Sequence, residues 1–121
     1  MSDSQLIHHS INYIEINVVD MDAAKTFYTG AFGWRFNDYG PEYAGICKME
    51  GEGESGGLRL MAEFDRGGPL VILYSNDLEA SQQSVLQAGG TITLEPISFP
   101  GGRRFQFADP SGNELAVWSD K

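Results

Sequence analysis

YIEINVVDMDAAKTFYTGAFG at residues 13–33 and LVILYSNDLEASQQSVLQAGG at residues 70–90 follow one grammar, 57 residues apart. Each opens on a strand, passes an Asp in a turn, runs through a helix and stops on glycine. Internal repetition of this kind fixes an architecture before any single propensity does. In the first copy Ile14, Ile16 and Val18 alternate with Tyr13, Glu15 and Asn17, the two-residue period of a strand with one apolar face. Asp20 and Asp77 stand where a carboxylate can accept from the free N–H groups of a first helical turn. Ala24, Phe27, Tyr28 and Ala31 or Phe32 supply the buried stripe of the first helix, and Gly33 ends it. Gly89-Gly90 ends the second, which runs to about Ala88.

Working outward, short strands are expected over Trp34 to Asp38, Tyr43 to Met49 and Leu58 to Phe64. Gly40-Pro41 and the acidic Gly51–Gly57 connector separate them. The second copy replays the order with strands at Leu70 to Tyr74, Thr91 to Glu95, Arg103 to Ala108 and Glu114 to Ser119. The reading is an α+β chain of two tandem βαβββ modules, about residues 10–64 and 69–119, in a single domain.

Composition narrows the function. At 121 residues, with 41% hydrophobic and 21% charged side chains, the chain can bury a real core. A formal charge of −9 without a Lys/Arg run argues against a nucleic-acid partner, whose backbone is gripped by basic side chains. No apolar run approaches the roughly 20 residues of a membrane span, and the start lacks a signal-peptide pattern, so a cytoplasmic protein without a membrane partner is expected. Cys47, the single cysteine, has no partner for a disulfide and reads as a packed or semi-exposed thiol.

The phrases Tyr13-Ile14-Glu15-Ile16, Asp20 through Phe27-Tyr28, Phe32-Gly33-Trp34 and Asp109-Pro110-Ser111-Gly112-Asn113-Glu114-Leu115 resemble the vicinal oxygen chelate superfamily. That group includes glyoxalase, the extradiol dioxygenases, fosfomycin-resistance enzymes and bleomycin-binding proteins. The resemblance covers about residues 10–119 and implies curled mixed sheets around a cleft, commonly completed in a homodimer. Metal-dependent members carry a His, Glu or Gln on the first and fourth strand of each module, since a divalent ion needs lone pairs converging at about 2.0–2.2 Å. Counting from the Asp turns, those positions fall here on Tyr13, Leu70 and Ala116, and the 57-residue offset adds Arg59. None is a usual ligand, and His8 and His9 would need a register shift to reach the first position. No metal and no cofactor are therefore expected.

Alternation turns Tyr13, Glu15, Asn17, Arg59, Met61, Leu70, Ile72, Tyr74, Glu114, Ala116 and Trp118 toward the cleft. Aromatic and aliphatic groups with a few polar points suit a small organic ligand. Arg59 offers a planar fork for an anionic group, or a salt bridge to Glu15 or Glu114. Glu15 is the one residue suited to general-base work. Trp34 and Phe36 are cleft wall or dimer contact, and Gly101-Gly102-Arg103-Arg104 reads as a hairpin with exposed arginines. Three functions stay open. The first is a metal-free protein binding a small, partly apolar or aromatic ligand in a dimer-completed cleft. The second is a lyase, isomerase or dioxygenase of the same family, and the third an interaction subunit.

Overall fold

A computed structural model describes residues 6–62 and 68–121. Among these residues ten elements follow the expected order: β1 (Ile11–Val18), α1 (Met21–Phe32), β2 (Phe36–Asp38), β3 (Tyr43–Cys47), β4 (Glu54–Leu60), β5 (Leu70–Tyr74), α2 (Leu78–Gln87), β6 (Thr91–Phe99), β7 (Gly102–Ala108) and β8 (Glu114–Ser119). The fold is α+β, βαβββ twice. Phe64, expected at the end of the fourth strand, lies outside the described residues.

In the first module the strand order is β2-β3-β4-β1, with β4 parallel to β1 and antiparallel to β3. The Asp20 carboxylate accepts from Ala23 N–H at 2.9 Å and starts α1, while Gly33 closes it at φ +73°, a left-handed conformation that a side chain resists. Met21, Ala44, Ile46 and Leu58 form the core, packed by Ile16, Val18, Ala24, Tyr28, Trp34, Phe36 and Leu60. Removing each large aliphatic side chain from water contributes about 1.5–3 kcal/mol.

The second module repeats this as β5-β8-β7-β6, with β5 parallel to β8. Asp77 accepts from Ala80 N–H at 3.1 Å, and Leu78, Phe105 and Val117 form the core under α2. Residues 6–12 belong to this module by their bonds. His9 N–H donates to Tyr74 C=O at 2.7 Å, and Tyr74 N–H to Ser10 C=O at 3.1 Å. No helix among the described residues is long and apolar enough to cross a membrane.

Several expectations need correction. The connector shortens, because Glu54 to Gly57 already pair as β4 against β1 and β3. Trp34 and Arg35 stay outside β2, and Trp34 instead stacks on Tyr28 at 4.7 Å. Phe27 and Phe32 are exposed, since α1 reaches the sheet through Met21, Ala24 and Tyr28; the two phenylalanines meet edge-on beside that stripe. β6 continues through Pro96 to Phe99, accommodated by register shifts against β7. The glycine turn at Gly101 is a hairpin, but Arg103 is ion-paired to Glu79 on α2.

Candidate functional site

Strand alternation gives each sheet a helix face and an open face. On the open face of the first module, cross-strand pairing sets Glu15 beside Gly57, Gly57 beside Gly45, and Gly45 beside Asn37. The next row is Asn17, Arg59 and Tyr43. Two central positions therefore carry no side chain, and their neighbours lie over them. A Cβ on Gly57 would stand 2.1 Å from the Tyr43 hydroxyl, and one on Gly45 2.2 Å from the Glu54 carboxylate. Glycine here is a requirement of close approach.

Over that floor runs a connected line of polar atoms. Tyr43 OH donates to Glu15 Oε2 at 3.0 Å, and the Tyr13 and Tyr43 hydroxyls lie 3.0 Å apart. Tyr13 OH reaches Glu54 Oε1 at 3.4 Å, while Glu54 Oε2 accepts from Asn37 Nδ2 at 2.9 Å and from Tyr39 OH at 2.5 Å. Glu15 is 4% exposed, whereas Tyr39 stands in solvent. Burial first, and then the neighbouring carboxylates, push the Tyr13 and Tyr43 phenols far above their ordinary range; only their mutual bond works the other way, at Tyr13. Tyr39 is raised as well, chiefly by its bond to Glu54. The phenols remain neutral hydroxyls that both donate and accept.

Arg59 is exposed and forms no ion pair among the described residues, which leaves the salt bridge to Glu15 or Glu114 without a geometric basis. Met61 follows β4, its N–H donating to Val18 C=O at 2.7 Å. Asn17 sits next to Arg59 across the parallel pair.

The open face of the second module carries Leu70, Ile72 and Tyr74 on β5 with Glu114, Ala116 and Trp118 on β8. Ile72 pairs with Ala116 and Tyr74 with Trp118, and Ile72, Tyr74 and Ala116 are buried. The Tyr74 and Trp118 rings meet edge-on at 5.3 Å. Their polar atoms are engaged: Trp118 Nε1 donates to Asn12 Oδ1 at 3.0 Å, and Tyr74 OH donates to Asp120. Glu114 accepts from Thr93 at 2.7 Å and Gln106 at 3.0 Å.

The repeat offset slips between the first and last strands of the modules. Glu15 pairs with Gly57, but Ile72, its counterpart, pairs with Ala116. Ala116 thus corresponds to Gly57, and Trp118 to Arg59. Neither Gly57 nor Ala116 offers a lone pair, and Tyr13 keeps its proton. Among the described residues no three His, Cys, Asp or Glu side chains come together. This donor set does not fit a divalent metal.

Sequence reasoning brought Tyr13, Glu15, Asn17 and Arg59 together on one face and missed Tyr43, Glu54, Asn37 and Tyr39. The signal was present in Gly45, Gly56 and Gly57, since glycine inside a strand marks close approach. The surface hollow of about 380 Å³ between Asp20, Lys25, Asp38 and Pro41 lies beside α1 and encloses the Lys25–Asp38 ion pair. It offers none of this chemistry.

Residues 10–117 match the profile of the Glyoxalase/Bleomycin resistance protein/Dioxygenase superfamily. The chain belongs to that superfamily. It is 26% identical over 115 residues to the putative glyoxylase CFP32 of Mycobacterium tuberculosis, covering 88% of this chain and 44% of that protein. It is 29% identical over 124 residues to the anthracycline biosynthesis protein DauV of Streptomyces sp. (strain C5), covering 88% and 45%. The chain thus spans a little under half the length of these relatives. The Mn(II)-bound glyoxalase of Novosphingobium aromaticivorans superposes with a TM-score of 0.68 at 27% identity, over 93% of this chain and 39% of that one.

Proposed function

We infer that this glyoxalase-like chain binds a small, partly apolar or aromatic organic ligand without a divalent metal, as a homodimer. The observation that carries the reading is the open face of the first sheet. A fixed set of neutral phenols and carboxylates lies there beside Arg59, whose guanidinium is not committed to an ion pair among the described residues. On this module the ligand contacts are Tyr13, Asn17, Arg59 and Met61. A relative named for anthracycline biosynthesis is compatible with such a ligand. The two-chain assembly follows the habit of the superfamily and the symmetry of most small oligomers.

A second reading, favoured by the buried carboxylate of Glu15 and by the likeness to a glyoxalase, is a lyase, isomerase or dioxygenase in which Glu15 acts as a base. The test combines elemental analysis of the purified protein with a screen of small organic anions and their neutral analogues, read by Trp118 fluorescence. Substoichiometric metal and binding of an anionic compound are expected. Arg59→Ala should weaken that binding by about 1.5–3 kcal/mol, the range for a hydrogen bond to a charged group, and leave the melting temperature nearly unchanged. One equivalent of tightly held metal would overturn the metal-free reading, and unchanged affinity would remove Arg59 from the site.

A further inference from the structure

The geometry points to a proton relay: Tyr13 and Tyr43 pass a proton between the half-buried carboxylate of Glu54 and the buried carboxylate of Glu15. The assignment rests on the open face of the first sheet being the working site. A carboxylate that exchanges protons with a bound molecule must be reset from solvent, and Glu15, at 4% exposure, is closed to bulk water. The chain provides a line of hydroxyls instead. Glu15 Oε2, Tyr43 OH, Tyr13 OH and Glu54 Oε1 follow one another at 3.0, 3.0 and 3.4 Å.

A hydroxyl can accept from one neighbour and donate to the next, and both intermediates are hydroxyls. Oε2 of Glu54 is occupied by Asn37 and Tyr39, which leaves Oε1 toward Tyr13 as the exchanging oxygen. The step balances. A proton on Glu54 Oε1 moves to the Tyr13 oxygen, the Tyr13 proton moves to the Tyr43 oxygen, and the Tyr43 proton moves to Glu15. Glu54 ends as carboxylate, Glu15 as carboxylic acid, and both phenols stay neutral. The displaced phenol values support this, because an easily ionised tyrosine would trap the charge midway. The glycine floor supports it independently. Side chains are given up at positions 45 and 57, where a Cβ would collide with the carboxylate of Glu54 and the hydroxyl of Tyr43.

The experiment is a rapid pH jump on the full chain with 13C-labelled glutamate, following protonation of Glu15 by its infrared carboxyl band. Glu15→Gln assigns the band. Tyr13→Phe and Tyr43→Phe should each slow Glu15 protonation by about a hundredfold, the lower end of what a positioned proton donor contributes. Tyr39→Phe, off the line, should leave the rate at the wild-type value. Amide spectra of each variant verify the fold, and Tyr13→Phe decides if Tyr43→Phe disturbs it. A wild-type rate in folded Tyr13→Phe overturns the relay. Because the measurement needs no ligand, slowed protonation with no compound bound in the screen would sink the binding reading and keep the relay. Ligand binding with an unslowed rate would do the reverse.

Discussion

The two modules share a frame and differ on their open faces. In the first, the row beside Glu15 is Gly57 and Gly45, and a line of tyrosines and carboxylates lies across it. In the second, the equivalent row is Ile72, Ala116 and Gln106; Ile72 and Ala116 are buried and apolar, and Gln106 stands where the first module has Gly45. The helix faces do not diverge in this way, because both must bury a helix against a sheet. Duplication leaves packing common to both copies while one open face specialises in polar chemistry and the other in apolar contact.

Loss of packing in the second module should show the largest effect. Phe105 is fully buried under α2, and Phe105→Ala should lower unfolding free energy by about 3–5 kcal/mol in denaturant titration. Trp118, on the neighbouring strand, reports it locally; a loss below about 1 kcal/mol would mean the site collapses around the gap. Next comes the floor of the first module. Gly57→Ala drives a Cβ into the Tyr43 hydroxyl and should cost about 1–3 kcal/mol, with loss of the Tyr43 to Glu15 bond. The counterpart change, Ala116→Gly, should cost about 1–2 kcal/mol, from chain entropy and one buried methyl, and break no side-chain hydrogen bond. A Gly57→Ala protein that keeps the Tyr43 to Glu15 bond would erase the distinction between the two faces.

The helix caps test what the modules hold in common. Asp20→Ala and Asp77→Ala should each cost about 1 kcal/mol, and similarly, since each carboxylate accepts one first-turn N–H. A large inequality would show that the shared frame is energetically uneven. The smallest effect appears only in alkali. Tyr13 and Tyr43 are raised in the folded state, first by burial, so their contribution is complete below the unfolded value of about 10 and is lost as pH climbs through the folded values above it. Stability should therefore fall from about pH 10 upward, and Tyr43→Phe should shift the alkaline unfolding midpoint to higher pH. An alkaline midpoint that Tyr43→Phe leaves unmoved would contradict the burial of this pair.

The parts legible in the sequence are those set by local chemistry. β1 brings Ile16 and Val18 to the core, although Ile14 is left exposed, and Asp20, Asp77 and Gly33 punctuate the helices by satisfying or ending backbone bonds. The glycine-rich stretch at 51–57 misled, because glycine signals a loop and a crowded strand alike, and only the partner strands separate the two. The slip in repeat offset has another origin. Asn37, Gly45 and Gly57 answer to Leu94, Gln106 and Ala116, so the second copy is longer between its second and third strands, where β6 is bulged, and shorter before its last, and no alternation within a strand reveals it. Phe27 was misplaced because a stripe of aromatics on a helix is broader than the line that touches the sheet.

The stretch before the first repeat has a consequence of its own. Asn76 N–H donates to His8 Nδ1 at 2.9 Å, His9 Nε2 lies 3.1 Å from Ser81 Oγ, and Trp118 holds Asn12. His9 takes a left-handed turn, at φ +64°, to arrive there. All of these partners belong to the second module, so the seam of the duplication and the seam of the folded units are not the same place. A gene cut between the copies would separate residues 70–121 from the strap that fastens them. Any attempt to rebuild the protein from two fragments has to carry residues 6–12 across to the C-terminal piece.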